Sequence, residues 1–442
     1  MTCFRSFFAA FVALTFTCIA SAQPAAPAFS SRPGAAYTLY LNFTGFNYTG
    51  SWGGQTPGNV VAYNGQAGPT FTIAEQASIK NIWSRVSESY FPFNINVTTV
   101  DPAAAAGNST YLARQHYYDT TARVMHSVIG NGNAGFFNGA GGVSYVGTWA
   151  TSNSAGSGYG TNWSFTNRLG GYSAYHNIFT ATVHENGHAA GLSHQGDYIG
   201  STLVNSYSTN NGSSVLAPSM GVGYSASRDV FAVGRINTNT STIQNDALRI
   251  LQNSGMGGFI NDGIGRTLAT ASPLALNGAL INSLNNQGVI VPVSDSNPNP
   301  IGASNYTKGF YSFSTAVTGV NTITVNAGTQ FLTPGAVDPH ASLDSTLRLL
   351  DNLGNQLAIA STSSLGETIS INLGAGQYFI EVSSAGGKQA SLGPTNNWAA
   401  RQFYDMGAYF LTGSIQSVPE PGSLALMSLV VIGIVVYRRR VR

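Results

Sequence analysis

A cluster of histidines near the middle of the chain has the residue types and the spacing of a metal site. His184 and His188 lie four residues apart, and the preceding stretch 174–182 contains neither Pro nor Gly, which is typical of a helix. Residues four apart lie on the same face of a helix, so these two imidazoles can bind one metal ion. Gly191 can adopt the left-handed conformation that ends a helix, after which the chain can turn back and bring His194 to the same ion.

Three imidazoles with one open coordination position are a ligand set of catalytic zinc, whereas structural zinc sites are closed by four protein ligands. Glu185 lies beside the ligands and is placed to polarise a metal-bound water and to accept its proton. Because the chain has only 7 His in 442 residues, composition alone would produce the full pattern in roughly one of a few hundred thousand cases. We therefore predict a hydrolytic Zn²⁺ site. The alternative is a surface helix with three unrelated histidines.

The eleven-residue pattern from His184 to His194 resembles the metzincin clan of zinc endopeptidases, whose second hallmark is a Met-containing turn beneath the metal. The resemblance implies that Met220, within residues 217–224, forms the floor of the zinc site, the alternative being an ordinary core methionine. It also implies that Tyr224 is the tyrosine that some metzincins place near the metal, here four residues after the methionine rather than two. The implied activity is hydrolysis of peptide bonds in a protein or peptide substrate.

Two further stretches near the motif are candidates for supporting roles. Residues 142–147 hold a short predicted strand that includes Val143, Ser144 and Tyr145. In metzincins the strand upstream of the zinc helix lies at the sheet edge and pairs with the extended substrate; an internal strand is the alternative. Asp197 follows the motif and can either orient a zinc-ligand histidine through a hydrogen bond or cap a loop.

The elements that must position these residues are visible in the hydrophobic pattern of residues 37–255. Alternating apolar residues predict strands, and apolar residues at helical spacing predict amphipathic helices. The predicted elements are strands at 37–43, 93–99 and 124–129 and helices at 73–90 and 241–252. The order strand, helix, strand, strand before the zinc helix matches the N-terminal half of a metzincin catalytic domain. The resemblance thus implies an α+β fold, a mixed twisted sheet that carries the zinc helix.

The composition changes after this region. Gly, Asn, Ser and Pro dominate residues 256–308, which we interpret as a linker. Short strands with clear turns and no helical periodicity follow in residues 309–415 and predict an all-β sandwich. These strands are predicted at 310–314, 320–325, 346–350, 368–373, 377–382 and 407–412. Three stretches of this part, 343–347, 374–382 and 406–409, resemble the bacterial pre-peptidase C-terminal (PPC) domain.

Both ends of the chain carry features of an exported protein. Residues 1–22 combine an early arginine, an apolar run and small residues at a cleavage site, as in a secretory signal peptide, and residues 23–36 form a short leader. Both cysteines lie in residues 1–22, so the exported part has no disulfide. Residues 417–442, with a Pro-Glu-Pro triplet, an apolar run and terminal arginines, resemble the PEP-CTERM sorting signal of Gram-negative bacteria. The resemblance implies processing by an exosortase-type enzyme after transient insertion in the inner membrane; a permanent transmembrane anchor is the alternative.

The net charge of the part of the chain between the signal peptide and the sorting tail gives no indication of a nucleic-acid partner. Without the signal peptide and the sorting tail, 14 basic and 16 acidic residues remain, so we expect no nucleic-acid partner. We predict a zinc endopeptidase, exported through the inner membrane and extracellular or surface-bound after processing, with Glu185 as general base. The alternative is a non-catalytic extracellular matrix or adhesion protein with a vestigial zinc site, which the Gly- and Asn-rich composition fits equally well.

Overall fold

The computed structural model describes residues 25–416 except 67, 69, 134, 150–158, 209–214, 240, 254–257 and 390–400. The predicted signal peptide and the predicted sorting tail, including its membrane-inserted segment, lie outside the described residues. Within the described ranges, no helix is both long enough and apolar enough to cross a membrane.

The first half of the chain is built around a mixed central sheet. Its elements are β1 (Tyr37–Asn42), β2 (Phe46–Tyr48), β3 (Gly58–Val60), α1 (Ile73–Tyr90), β4 (Ile95–Thr98), α2 (Pro102–Ala105), α3 (Tyr111–Thr120), β5 (Val124–Gly130), β6 (Gly142–Val143), β7 (Thr161–Phe165), α4 (Tyr175–Ala189), β8 (Asp197–Ile199), β9 (Thr202–Asn205), β10 (Leu216–Pro218), β11 (Arg228–Val230), β12 (Ala232–Arg235), β13 (Ile243–Asn245) and α5 (Asp246–Asn253). The central sheet has the order β4-β1-β5-β7-β6. Neighbouring strands are parallel except at the edge, where β6 is antiparallel to β7.

Helices cover both faces of this sheet because successive side chains of a strand point to opposite faces. On one face, Leu39 and Leu41 of β1 belong to a core that also contains apolar residues of α1 and α4. On the other face, Tyr40 of β1 packs with Tyr118 of α3. The helix that carries the histidine motif, α4, is therefore buried against the sheet and against α1.

Most elements predicted around the site are present with shifts of a few residues. The predicted strands at 37–43, 93–99 and 124–129 correspond to β1, β4 and β5, and the helix predicted at 73–90 is α1. The helix predicted at 241–252 begins later, at Asp246, because β13 pairs with β12 before the helix starts. The sequence pattern does not predict β7. Its residues are all buried although three of the five are polar, so apolar alternation is missing.

The second half of the chain forms two antiparallel-rich sheets that share one core. Its strands are β14 (Ser272–Pro273), β15 (Leu276–Asn277), β16 (Leu280–Ile281), β17 (Gln287–Ile290), β18 (Gly309–Thr315), β19 (Gly319–Ala327), β20 (Ser345–Leu350), β21 (Gln356–Ala360), β22 (Gly366–Leu373), β23 (Gly376–Ser384), β24 (Lys388–Gln389), β25 (Gln402–Phe403) and β26 (Gly407–Ser414). One sheet has the order β14-β18-β23-β20-β21, and the other β15-β16-β26-β19-β22 with β17 also paired to β26. Buried residues of both sheets, such as Leu349 and Ile323, belong to the same core cluster.

The structure corrects the predicted linker at 256–308 and the predicted start of the sandwich at 309. Residues 272–290 supply β14 to β17, which pair with strands of both sandwich sheets; for example, Val289 lies opposite Ala408 in β26. These strands are two to four residues long. Such short strands show no clear alternation of apolar and polar residues. The Gly- and Asn-rich composition is then the only signal in this region, and it is typical of a linker.

The two halves are joined by a shared sheet and by buried polar contacts. β25 pairs with β12, so that strands of both halves form a sheet of order β13-β12-β25-β24. The buried Arg228 of β11 donates from Nε to the carbonyl of Ala341 at 2.7 Å. Glu88 of α1 accepts the backbone N–H of Thr329 at 2.9 Å. The predicted boundaries therefore separate sequence patterns, whereas the packing is continuous across them.

Candidate metal centre and cleft

The end of α4 brings the three motif histidines together. His184 and His188 lie one turn apart near the end of the helix, and Gly191, with a φ of 101°, follows it. This left-handed residue reverses the chain and returns His194 to the helix end. One ligand nitrogen from each of the three imidazoles lies within 4.8 Å of the others. The Nε2 atoms of His188 and His194 are 2.8 Å apart.

Backbone carbonyl groups set the orientation of two of these rings. Nδ1 of His184 lies 2.8 Å from the carbonyl oxygen of Ser219, and Nδ1 of His188 lies 2.7 Å from that of Leu192. A carbonyl oxygen only accepts, so Nδ1 is the protonated nitrogen and Nε2 keeps its lone pair for a ligand. Burial lowers the pKa of both histidines and lowers that of His194 to about 4, which favours the neutral, metal-binding form.

The donor set of the histidine trio fits Zn²⁺. Zinc–nitrogen bonds of about 2.0–2.1 Å place two ligand nitrogens of a tetrahedral site roughly 3.3 Å apart. The three imidazole nitrogens lie within 4.8 Å of one another, so small side-chain adjustments reach this spacing. Within the described ranges, this trio is the group of His, Cys, Asp and Glu side chains with the proximity of a metal site.

Met220 is fully buried against α4, the helix that carries the histidine motif. A Cβ atom on Gly187 of α4 would lie 2.6 Å from the sulfur of Met220, so glycine permits this close approach. The same turn holds both arms of the motif, because Ser219 supplies the carbonyl group for His184 and the Met220 carbonyl accepts the N–H of Gln195 at 2.8 Å. The turn predicted from residues 217–224 thus lies directly against the histidine site.

Asn186, which the sequence analysis did not single out, anchors α4 to the central sheet. Its Nδ2 donates to Ser127 Oγ on β5 at 3.2 Å and to the Thr182 carbonyl at 2.7 Å. Its Oδ1 accepts from Asn162 Nδ2 on β7 at 3.0 Å. These bonds fix the rotation of the helix and hence the direction of the neighbouring ligands. The only sequence signal for this role is the position of Asn186 inside the motif.

Glu185 lies in a cleft of about 470 Å³ that the three histidines also line. Burial raises the pKa of its carboxyl group to about 8. A Cβ atom on Gly142 would lie 2.7 Å from Glu185 Oε1, so the carboxylate lies directly beside the edge strand β6. This arrangement places a titratable carboxyl group between the histidine site and the edge of the sheet.

The segment predicted as an edge strand does lie at the edge of the central sheet, but its strand is shorter than 142–147. The strand β6 contains Gly142 and Val143 only, and these two residues and Ser144 line the cleft. The N–H of Phe165 in β7 donates to the carbonyl of Gly141 at 2.7 Å. Residues of an antiparallel ladder alternate between hydrogen-bonding to the partner strand and pointing their backbone groups away from it. Gly142, opposite Ser164, points its backbone groups away from β7, and Ser144 follows directly after the strand.

Tyr145, the third residue predicted for this strand, has a different position. Its ring packs at 4.8 Å from that of Trp52 and at 4.0 Å from that of Tyr159, and it is not part of the cleft lining. The structure thus places Tyr145 outside β6, in an aromatic cluster with Trp52 and Tyr159.

Two tyrosines complete the cleft. Tyr224, predicted from the Met-containing turn, lines it, and burial with the nearby Glu185 raises the pKa of its phenol to about 12. Tyr207, which the sequence analysis does not predict, lies against two of the motif histidines: its ring centroid is 4.3 Å from that of His194 and 6.2 Å from that of His184. The Asn-, Ser- and Gly-rich sequence around Tyr207 offers no periodic signal that could have located it.

Asp197 does not take the histidine-orienting role considered for it. It pairs with Arg401 at 2.9 Å and accepts from Asn205 Nδ2 at 3.0 Å. Two of the ligand rings use backbone carbonyl groups, and Nδ1 of His194 lies 3.5 Å from Asn237 Nδ2. The start of β8 directs the buried Asp197 carboxylate toward the C-terminal half of the chain instead.

Comparison with known proteins identifies the C-terminal tail. A model of the PEP-CTERM protein-sorting motif matches residues 417–440, which confirms that prediction. This motif implies recognition by an exosortase-type processing enzyme and indicates export and C-terminal sorting in Gram-negative bacteria, consistent with an extracellular or surface location. No curated protein matches the chain.

Three solved structures are distant neighbours of the chain. The pre-peptidase C-terminal domain of a collagenase from Bacillus anthracis is 16% identical over 32% of this chain and 90% of that domain, with a TM-score of 0.18. A GH26-CBM35 β-(1,4)-mannanase from Podospora anserina is 14% identical over 33% of this chain, with a TM-score of 0.14. An exo-β-1,3-galactanase from Phanerochaete chrysosporium is 10% identical over 36%, with a TM-score of 0.15. The chain spans 29% and 31% of these two glycosidases.

Proposed function

We propose that this protein is an exported, metzincin-type zinc endopeptidase that cleaves peptide bonds in a protein or peptide substrate. The observation that carries the proposal is the convergence of three imidazoles within 4.8 Å, next to the buried Glu185 and in an open cleft. Three histidines with space for a further ligand are a catalytic rather than a structural zinc arrangement.

In this proposal, His184, His188 and His194 hold the zinc ion through one ring nitrogen each. A bound zinc ion would supply Lewis acidity to the scissile carbonyl and make water a stronger nucleophile at neutral pH. Glu185 accepts the proton of the attacking water on a carboxylate oxygen and passes a proton to the nitrogen of the leaving amine. Met220 and Asn186 keep the zinc helix and its ligands in place from below and from the sheet side.

The substrate is held as an extended strand. The backbone groups of Gly142, which point away from β7, and those of Ser144 just beyond the strand can hydrogen-bond a peptide added to the sheet edge, which gives affinity without strict sequence demands. Among the described residues that line the cleft, Glu185 is the only carboxylate and none is Lys or Arg; apart from the three histidines, the lining includes uncharged residues such as Thr180, Ala181 and Val222. We therefore expect uncharged side chains on either side of the cleaved bond.

The decisive experiment measures zinc content and peptide cleavage on the full-length chain, kept soluble with detergent. We expect about one zinc ion per chain and cleavage of a broad peptide library. His188→Ala should lose both zinc and cleavage, whereas Glu185→Gln should keep zinc and lose cleavage. Full zinc occupancy with cleavage retained in Glu185→Gln would contradict the proposed chemistry. Absence of zinc binding would favour the non-catalytic matrix or adhesion protein, for which an intact Glu185 has no role.

A further inference from the structure

The loop that carries the third histidine is hydrogen-bonded to the end of β12 and to the residues that follow it. The N–H of Asn237 donates to the carbonyl of His194 at 2.9 Å, and the N–H of Gly196 donates to the carbonyl of Arg235 at 3.0 Å. His194 lies beyond the end of α4, so the helix does not fix its position as it fixes His184 and His188. The geometry of the third ligand therefore depends on what supports residues 194–197.

A buried arginine from the far end of the chain reaches this loop. Arg401 donates from one guanidinium nitrogen to Asp197 Oδ1 at 2.9 Å and to the carbonyl of Gly196 at 3.3 Å. Its side chain is 4% exposed and that of Asp197 is 0% exposed. Arg401 directly precedes β25, which pairs with β12, the strand whose last residue is Arg235. Arg401 of the C-terminal half thus contacts the ligand loop twice, at the backbone carbonyl of Gly196 and through an ion pair with Asp197.

The close packing around this arginine leaves the loop little freedom. A Cβ atom on Gly234 would lie 2.6 Å from Gln195 Oε1 and 3.6 Å from Arg401 Nε, so the two side chains meet over a glycine of β12. The Nε2 of Gln195 also donates to Asp246 at 3.0 Å. The residue next to His194 and the residue three positions after it are therefore both fixed by buried polar partners, and Arg401 is the partner that the C-terminal half supplies.

We propose that Arg401 is a positioning residue for the zinc ligand His194, and that the C-terminal half is consequently a required part of the metal centre. This inference rests on the zinc site proposed above. The β-sandwich and its last strands thereby control the metal affinity of a site in the first half of the chain. Groups hydrogen-bonded to a metal ligand typically change metal affinity by about 10–100-fold when they are removed, and we extend this range to Arg401, which acts on His194 through Gly196 and Asp197.

The test compares two buried arginines that cross the same junction. Arg401→Gln removes the contacts to the ligand loop, because a glutamine side chain is two atoms shorter than arginine and does not reach Gly196. Arg228→Gln is the matched control, since Arg228 is similarly buried and contacts Ala341 and Ser342 across the junction but not residues 194–197. The zinc dissociation constant of each full-length variant is measured by competition with a chelator, together with its Tm.

We expect Arg401→Gln to raise the zinc dissociation constant by about 10–100-fold and Arg228→Gln to leave it unchanged, whatever their effects on Tm. With Co²⁺ as the probe, the visible absorption of a tetrahedral site should weaken in Arg401→Gln only. Equal dissociation constants in Arg401→Gln and the parent chain, or equal losses in both variants, would overturn the proposal. A parent chain without zinc would instead overturn the proposed function, so the two failures are distinguishable.

A second variant covers the case in which Arg401→Gln does not fold. Removing one member of a buried ion pair leaves the other charge uncompensated, whereas replacing both members often preserves stability. Asp197→Asn combined with Arg401→Gln therefore keeps the junction neutral but still breaks the reach to Gly196. A folded double variant with weakened zinc binding supports the proposal, and one with parental zinc binding overturns it.

Discussion

At the residue scale, the site depends on which ring nitrogen of each histidine can bind a metal. The carbonyl groups of Ser219 and Leu192 occupy Nδ1 of His184 and His188, so their Nε2 atoms are left for a metal. The sequence spacing predicts that these histidines meet, but the carbonyl partners come from a distant turn and from the helix end. Ring orientation is therefore a tertiary property that the motif alone does not contain.

The first prediction concerns the division of labour between Glu185 and the ligands. Glu185 lies in the cleft but is not one of the three proposed zinc ligands, so Glu185→Gln should retain the zinc affinity of the parent chain. Removal of a general base typically lowers the rate by about 10²–10⁴-fold, and we expect kcat to fall in that range. Peptide cleavage assays with metal analysis on the same samples check this, and His188→Ala serves as the control that loses metal.

The second prediction separates the two cleft tyrosines. The ring of Tyr207 packs against that of His194, whereas Tyr224 lines the cleft beside Gly141. A hydrogen-bond donor aimed at the developing oxyanion contributes roughly 10²-fold to kcat. Tyr207→Phe should therefore lower kcat by about that factor with little change in zinc affinity, and Tyr224→Phe should have a smaller effect. A larger loss in Tyr224→Phe would reassign the role.

At the element scale, the edge strand gives the third prediction. Ser144 lines the cleft directly after β6, where its backbone N–H is a candidate donor to an extended substrate. Ser144→Pro removes this donor and should raise KM while zinc binding stays intact, because the metal ligands lie on other elements. Ser144→Ala, which deletes only the hydroxyl group, is the control and should leave KM unchanged. Equal KM values for Ser144→Pro and the parent chain would exclude substrate pairing at this residue.

The accuracy of sequence-based prediction differed between elements for physical reasons. The helix α1 has a capping box between Thr72 and Glu75 and a buried apolar stripe, and its predicted bounds match those observed. The internal strand β7, with the sequence TNWSF, buries polar residues that hydrogen-bond α4, such as Asn162 to Asn186. Local alternation cannot reveal a strand whose polar residues are satisfied only by tertiary contacts.

At the scale of the whole molecule, the sequence indicated where composition changes but not how the parts pack. The motif, the helix reversal at Gly191 and the approach of Met220 involve neighbours within 40 residues, so pattern and resemblance located them. The contacts of Arg401 with Asp197 and of Glu88 with Thr329 join residues more than 200 positions apart. No local periodicity encodes such contacts, and the predicted division into separate domains missed them.

The last prediction uses Glu88 to test the junction between the halves. Burial, with a contribution from Asp338, raises the pKa of Glu88 from 4.5 to about 8, while Arg228 acts in the opposite direction. The folded protein therefore binds a proton at Glu88 that the unfolded chain releases above pH 4.5. Consequently, the contribution of this residue to folding stability is largest below pH 4.5 and declines as the pH rises to about 8.

Glu88→Gln isolates this effect, because glutamine stays neutral and its carbonyl oxygen can still accept the N–H of Thr329. Thermal unfolding of both proteins is measured between pH 5 and pH 8.5. As the pH rises, the free energy of unfolding of the variant should increase relative to that of the parent chain by up to ~1.4 kcal/mol per pH unit. Other buried carboxylates, such as Asp405, are common to both proteins and cancel in the difference. A difference that does not change with pH would show that Glu88 is not held neutral at the junction, and the two halves would then be less tightly packed than the shared core indicates.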